Sequence, residues 1–293
     1  VVREVPSPVP GPWEELITVS SAALNPHDQV VAAGINVAAP YPYVTGIEGV
    51  GRTEDGRRVY VAPTNPPNGS LAEYTVIPAS RAIPIPDRLT DEQALGIGMA
   101  GMTAWLALVW KGQLEAGQSV LVTAATGAVG QIAVQAAKVL GASTVVAAGR
   151  NRGVLDGLRE RGADETVVID DAYEQNLAAV VGDGFDLVVD GLYGDHISAA
   201  IRATRRNGRV VNFGMRAGRT ATISGVELKG RELIGFATTD AGPERIRQAY
   251  ERMVEHVLDG TLVVAAESMH MQDIAVAWQR QRDSPNTKLE LTV

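Results

Sequence analysis

Residues 120–142, VLVTAATGAVGQIAVQAAKVLGA, read as a buried strand, a glycine-studded turn and an apolar helix. The opening run is β-branched and aliphatic without polar alternation, the pattern of a parallel strand covered on both faces. Small residues then fall at Ala125, Gly127 and Gly130, the spacing of the dinucleotide fingerprint with alanine in place of its first glycine. A short residue at 125 permits the tight turn, Gly127 lets backbone approach a pyrophosphate, and Gly130 lets the helix sit close on the strand. The helix that follows aims its first N–H groups at the phosphates. Such turns also serve packing alone, but the strand before and the helix after favour cofactor binding by Thr126, Gly127, Ala128, Val129 and Gly130.

Working outward, five more buried runs (STVVAAG, ETVVI, FDLVVDGL, GRVVNFG and ELIGF) alternate with helix-period segments downstream. That rhythm predicts βαβ units and a doubly wound Rossmann-type parallel sheet over residues 95–258. Residues 1–94 differ: short β-rich runs (ELITVSSAAL, RRVYVAP, AEYTVIPAS) are separated by proline and glycine, which predicts a mainly β domain. The tail, 259–293, has too few elements to fold alone and is assigned back to that β domain, making it discontinuous in sequence.

The second strand of the α/β region ends in Gly149, Arg150, Asn151 and Arg152. An NAD site would place Asp or Glu there for the ribose hydroxyl, and a carboxylate would repel a 2′-phosphate. A guanidinium binds one by charge-assisted hydrogen bonds, so NADPH is the expected cofactor, with Arg150 foremost; the alternative is a solvated helix start.

Composition narrows the classes further. Lys plus Arg number 26 against 34 for Asp plus Glu, a net charge of −8 that argues against nucleic acid or an anionic membrane as partner. There is no cysteine, which removes thiolate nucleophiles, disulfides and cysteine-based metal sites. The four histidines show no ligand spacing. No export signal and no membrane-spanning apolar run are read in the sequence, so the expectation is a soluble, cytoplasmic protein.

Across nearly its whole length the chain resembles the zinc-free quinone oxidoreductase branch of the medium-chain dehydrogenase/reductases. The resemblance is carried in order by VPSPVPGPWEELITVSSAALNPHD, YVTGIEGVG, GSLAEYTVIPA, GMTAWLAL and the cofactor segments AATGAVG, GRN, GAD and GRVVNFG. It implies a GroES-like fold for the β domain. Where zinc-dependent relatives hold Cys, His and Cys ligands, this chain has Asn25, Ile47 and Met99, which cannot rebuild a catalytic zinc shell. The strand before REVPSPVPGP and the turn after GVG are shortened, and the branch's phosphate-binding lysine falls near Val154, which places more weight on Arg150, Asn151 and Arg152.

The implied chemistry is hydride delivery to an already electrophilic carbon, that of a quinone or an enone, with positioning and a hydrogen-bond donor in place of a metal. By the resemblance Asn25 would donate to the substrate carbonyl, or else cap its own turn in LNPHD; Asp28 reads as structural. Thr103 would hold the nicotinamide carboxamide or ribose, or bond its own helix backbone. Tyr41 and Tyr43 would line the cleft or, for Tyr43, supply a proton, or else anchor their loop. The branch's other tyrosine is replaced by Leu71. Glu48 reads as a buried carboxylate paired with an arginine. Phe213, Gly214 and Met215, at a strand's carboxyl end, would lie under the nicotinamide, and Asn286 and Lys288 would touch the cofactor or stand solvated. The resemblance also implies a homodimer through GRVVNFG and RELIGF. Alternatives on the same fold are a pathway-specific enoyl or imine reductase, a non-reducing cyclase, and an NADPH-binding regulatory protein without turnover.

Overall fold

The structure is a computed structural model that describes residues 2–35 and 41–293. In chain order the first elements are β1 (Glu14–Leu24), α1 (Pro26–Ala32), β2 (Glu48–Thr53), β3 (Arg58–Val61), β4 (Tyr74–Pro78), β5 (Ala82–Pro84) and α2 (Asp91–Gly96). Next come α3 (Met102–Leu106), β6 (Ser119–Val122), α4 (Ala128–Val139), β7 (Thr144–Gly149), α5 (Arg152–Arg159), β8 (Glu165–Val168), α6 (Tyr173–Val180) and β9 (Phe185–Asp190). The chain continues through α7 (Ile197–Ala203), β10 (Thr204–Asn212), α8 (Gly225–Leu228), β11 (Glu232–Gly235), α9 (Pro243–Leu258), β12 (Ala266–His270), α10 (Ile274–Arg282) and β13 (Lys288–Thr292).

Two compact units result, 1–99 with 242–293, and 100–241. The first is built on a seven-stranded sheet ordered β12-β13-β1-β2-β3-β5, with β4 also paired to β1. Its pairings are antiparallel except β12 with β13. β1 bulges between Val19 and Ser21 against β2, and a Cβ at Gly51 would stand 2.2 Å from the Thr18 carbonyl oxygen. Only glycine admits that approach. One core layer joins Ile17, Val59, Val61, Ile77 and Ala82; another joins Leu24, Ala277, Leu289 and Leu291, so the tail closes the sheet.

The second unit is a six-stranded sheet ordered β11-β10-β9-β6-β7-β8, every pairing parallel. Counted from β6, this is the doubly wound dinucleotide order, with its topological switch point between β6 and β9. All six runs read from the sequence are strands of this sheet. Helix α4 buries Gly130 through Ala137 without interruption, as expected of a helix apolar on most of its surface.

The units part at 99/100 and 241/242, where the sequence reading drew its boundaries at 94/95 and 258/259. Helix α9 therefore packs with the first unit. The Tyr250 ring stacks on Tyr60 at 4.5 Å and its hydroxyl donates to the Ala94 carbonyl at 3.0 Å. The tail strand also begins later than LVVAAESM implied: Leu262 is buried as a loop residue, and ladder pairing starts at Ala266. One segment corrects the reading of apolar runs. Asp91–Lys111 is long and apolar enough to cross a membrane, with mean hydropathy 1.3, yet 72% of that window is buried inside the fold, and Gly98 breaks its helical geometry.

Candidate functional site

In the second unit the glycine turn has the geometry its spacing implies. A Cβ on Gly130 would lie 2.5 Å from both the Ala124 oxygen and the Ala125 Cα, so glycine is what seats α4 on the end of β6. A Cβ on Gly127 would meet only the Ala124 oxygen, at 3.5 Å, leaving its outer side open. Gly127 is the N-cap and no side chain caps α4. The first N–H groups of the helix, on Ala128, Val129 and Gly130, therefore have no partner within it. Thr126 is nearly buried and turns its methyl and hydroxyl toward Gly149, where a Cβ would stand 2.5 Å from Thr126 Cγ2. Gly149 thus lets the end of β7 close on the turn. These are the features an anionic dinucleotide requires: an open glycine, free N–H groups and a tight strand-to-helix step.

Beyond β7 the three candidate phosphate contacts separate. Asn151 caps α5, its Oδ1 accepting from the Val154 N–H at 3.2 Å. The Arg152 guanidinium, 72% exposed, stands 3.4 Å from Asp170 Oδ2. Arg150 is exposed and has no hydrogen bond or ion pair among the described residues, leaving its guanidinium free to take a phosphate.

At the carboxyl ends of the central strands the side chains converge on Asp190, which is fully buried. Its Oδ1 accepts from Thr123 Oγ1 at 2.6 Å and from the Leu192 N–H at 3.2 Å; its Oδ2 accepts from Asn212 Nδ2 at 2.7 Å and from the Tyr193 N–H at 3.0 Å. The Phe213 ring packs over Gly191, Gly214 sits against the Gly191 carbonyl, and Met215 is 56% exposed. The Thr103 hydroxyl is 2.6 Å from that of Thr238, so it bonds a side chain as well as lying on α3.

The first unit holds a different cluster around Glu48, also fully buried. Glu48 Oε1 receives the Lys288 ammonium and Asn25 Nδ2, the latter at 2.9 Å. Oε2 receives the Tyr60 hydroxyl at 2.7 Å and the Met99 N–H at 2.7 Å. The expected arginine partner is therefore replaced by a lysine from β13. Lys288 is 4% exposed and its ammonium also meets Asn25 Oδ1 at 2.6 Å, which corrects the picture of a solvated side chain. Both ends of the Asn25 amide are engaged in this cluster, so the donor assigned to a substrate carbonyl is already spent on Glu48 and the Ala23 carbonyl. Asn286 donates to the Ser284 carbonyl at 3.1 Å.

Asp28 lies beside this cluster, 1% exposed, with Oδ2 accepting from the Asn25 N–H at 2.7 Å and Oδ1 without a partner. Burial pushes its carboxyl up to about 7, against the lowering effect of the Asn25 N–H, with the Glu48 charge adding to the rise. The Tyr60 phenol is held well above its ordinary range by burial and then by Glu48. Tyr43 stacks on Tyr41 at 4.5 Å and donates to the Val31 carbonyl at 2.6 Å. Desolvation, with Tyr41 beside it, pushes the Tyr43 hydroxyl up to about 12, which makes it a reluctant acid. Among the described residues no group of three His, Cys, Asp or Glu is arranged to hold a metal ion.

Sequence reasoning missed the Asp190 hub, the Lys288 pairing and the Tyr60 contribution. A strand-final Asp followed by glycine was the available signal for Asp190. Nothing in local spacing joins Glu48 to a lysine at position 288.

Comparison with known proteins places these features. Residues 128–256 match the family described as zinc-binding dehydrogenase. The chain is 34% identical over 259 residues to the polyketide synthase GfsB of Streptomyces halstedii; the match takes in 84% of the chain and spans 4% of that synthase. It is 31% identical over 256 residues to YhfP of Bacillus subtilis, whose name assigns it to the quinone oxidoreductases, covering 81% of this chain and 77% of that one. Among solved structures, the quinone oxidoreductase of Thermus thermophilus, determined also in complex with NADPH, superposes with a TM-score of 0.87 at 25% identity, over 99% of this chain and 95% of that one. Sheet order, glycine turn and full-length similarity agree, and the chain belongs to the quinone oxidoreductases of the medium-chain dehydrogenase/reductase superfamily.

Proposed function

We propose that the chain is an NADPH-dependent, metal-independent reductase that delivers hydride to the electrophilic carbon of a quinone or an α,β-unsaturated carbonyl compound. The single observation that carries the cofactor choice is Arg150, exposed and unpartnered at the end of β7 where an NAD site would carry a carboxylate. NADPH, when bound, supplies the hydride; the electron pair moves onto the substrate oxygen, and a proton from solvent completes the reduced product. The protein's part is to hold the dinucleotide: the first N–H groups of α4 take the pyrophosphate, Arg150 the 2′-phosphate, and the strand ends at Phe213, Gly214 and Met215 support the nicotinamide half. The Tyr43 proton is committed to the Val31 carbonyl, which favours solvent over that phenol as proton source.

A second reading is reduction of an enoyl thioester, favoured by the similarity to GfsB over most of the chain. It uses the same hydride chemistry on a carrier-bound acceptor. For the assembly we propose a homodimer paired along β11 (RELIGF), the edge strand of the parallel sheet; GRVVNFG, expected to share that edge, forms β10, an interior strand between β11 and β9.

The test is a paired titration with NADPH and NADH, following nicotinamide fluorescence, on the wild type and Arg150→Ala. The expected outcome is a preference for NADPH that falls by roughly tenfold in the variant, the worth of a charge-assisted contact. Turnover is then screened across quinones, enones and enoyl thioesters. Tight NADPH binding with no turnover on any of them would leave a binding protein and remove the reductase.

A further inference from the structure

Asp190 occupies a place that the nucleotide reading does not use. It ends β9, and its bonds run to Thr123 at the end of β6 on one side and to Asn212 at the end of β10 on the other. β6 and β9 are the two strands that flank the switch point of the sheet, and ligands of such sheets lie across that crevice, beyond the strand carboxyl ends. Arg150 and β7 stand on the adenine side of the switch point; β9 and β10 stand on the other.

The hub can be filled only by a carboxylate. Four donors converge on its two oxygens, and an aspartate has the lone pairs to accept them all, whereas an amide would turn one pair of acceptors into donors. Each donor it holds fixes something at the crevice floor. Binding the N–H groups of Leu192 and Tyr193 sets the turn after β9, in which Tyr193 takes the left-handed values φ 53° and ψ −145°, a conformation that persists only where surroundings enforce it. The Thr123 hydroxyl that donates to Asp190 also accepts from the Gly191 N–H at 3.2 Å. Asn212 Nδ2 donates to Asp190 Oδ2, to the Asp190 carbonyl at 3.2 Å and to the Gly214 carbonyl at 2.7 Å. Those three acceptors fix which end of the amide is nitrogen and lock the path of Phe213 and Gly214.

We infer that Asp190 is a positioning residue for the nicotinamide half of the dinucleotide, acting through Thr123, Asn212 and the backbone of residues 191–193. The inference rests on the nucleotide reading above. Its test separates the two halves of the ligand by titrating the full chain calorimetrically with NADPH and with adenosine 2′,5′-bisphosphate, which carries the adenine and the 2′-phosphate but no nicotinamide.

In Asp190→Asn the NADPH dissociation constant is expected to rise roughly tenfold or more, while that of the bisphosphate stays within about twofold. Thr123→Val, which removes one donor at constant shape, is expected to shift NADPH alone by a smaller factor, and Thr123→Ser to restore it. The threonine pair decides the matter should Asp190→Asn lose its cooperative melting transition. Parallel weakening of both ligands, or no weakening of either, overturns the assignment while the nucleotide site stands. A wild-type chain that binds neither ligand overturns the nucleotide reading and this assignment with it.

Discussion

Each unit holds a fully buried carboxylate, Glu48 in the first and Asp190 in the second, and the two are held in opposite ways. Glu48 is neutralised by a lysine ammonium and also accepts from an amide, a phenol and one backbone N–H. Asp190 has no cation among its hydrogen-bond donors and is held by a hydroxyl, an amide and two backbone N–H groups. A buried ion pair is costly to break because either partner alone is left as an uncompensated charge. A carboxylate held by neutral donors ties local backbone in place, since its holders are themselves the loop it organises. The Glu48 cluster is therefore a fastening between distant strands, and the Asp190 hub is a shaping device at strand ends.

The largest effect should come from the fastening. Lys288→Met leaves Glu48 buried and unpaired and is expected to cost about 3–5 kcal/mol of stability, read from urea denaturation. Adding Glu48→Gln should recover much of that loss. A single variant as stable as wild type would break the contrast, because Glu48 would then need no cation.

The glycine turn sharpens it by separating shape from binding within one segment. In Gly130→Ala the new methyl meets the turn backbone at 2.5 Å, and overpacking of this kind costs roughly 1–3 kcal/mol, with NADPH binding lost alongside. Gly127→Ala meets only one atom at 3.5 Å and should melt like wild type, within about 0.5 kcal/mol, yet bind NADPH weakly if, as proposed, the pyrophosphate approaches there. Equal melting losses in the two variants would show the turn to be packing alone.

The last contrast is a pH dependence and concerns Asp28, beside the fastening. Its folded-state pKa of about 7 lies above the ordinary value of 3.8. Below 3.8 both folded and unfolded chains carry the proton and the group contributes no difference. Between 3.8 and 7 the unfolded chain releases a proton that the folded chain keeps, so stability falls as pH rises, by at most about 1.4 kcal/mol per pH unit, and levels off above 7. Asp28→Asn should remove that slope from urea midpoints measured between pH 4.5 and 8. Parallel profiles for variant and wild type would show that Asp28 stays ionised beside Glu48 and Lys288.

The two regions were unequally legible in the sequence. The parallel sheet, its glycine turn and the arginine after β7 are written in contiguous residues: unbroken aliphatic runs, a fixed spacing and one side chain at a strand end. The unit boundary was not, because the apolar stripe of α9 says that Tyr250 is buried but not against which sheet. Glu48 read as a buried carboxylate, while its lysine lies 240 residues away and no periodicity connects them. Asn25 was legible as a special residue, but its amide had two possible employments, and only the fold shows Lys288 and Glu48 taking both ends. The Asp190 hub combines strand ends that become neighbours only once the sheet order is set.

The long separation between Glu48 and Lys288 also bears on the order of events as the chain is made. The parallel-sheet unit is one continuous stretch, 100–241, and has all its strands before the tail is synthesised. The other unit begins first and finishes last, because β13 lies between β12 and β1 in its sheet. Until that final strand arrives, the carboxylate of Glu48 lacks its counter-charge and β1 lacks a neighbour along its Ser21–Leu24 edge. During synthesis the nucleotide-type sheet can thus be complete while the β unit is still open, and closure of that unit waits on β13.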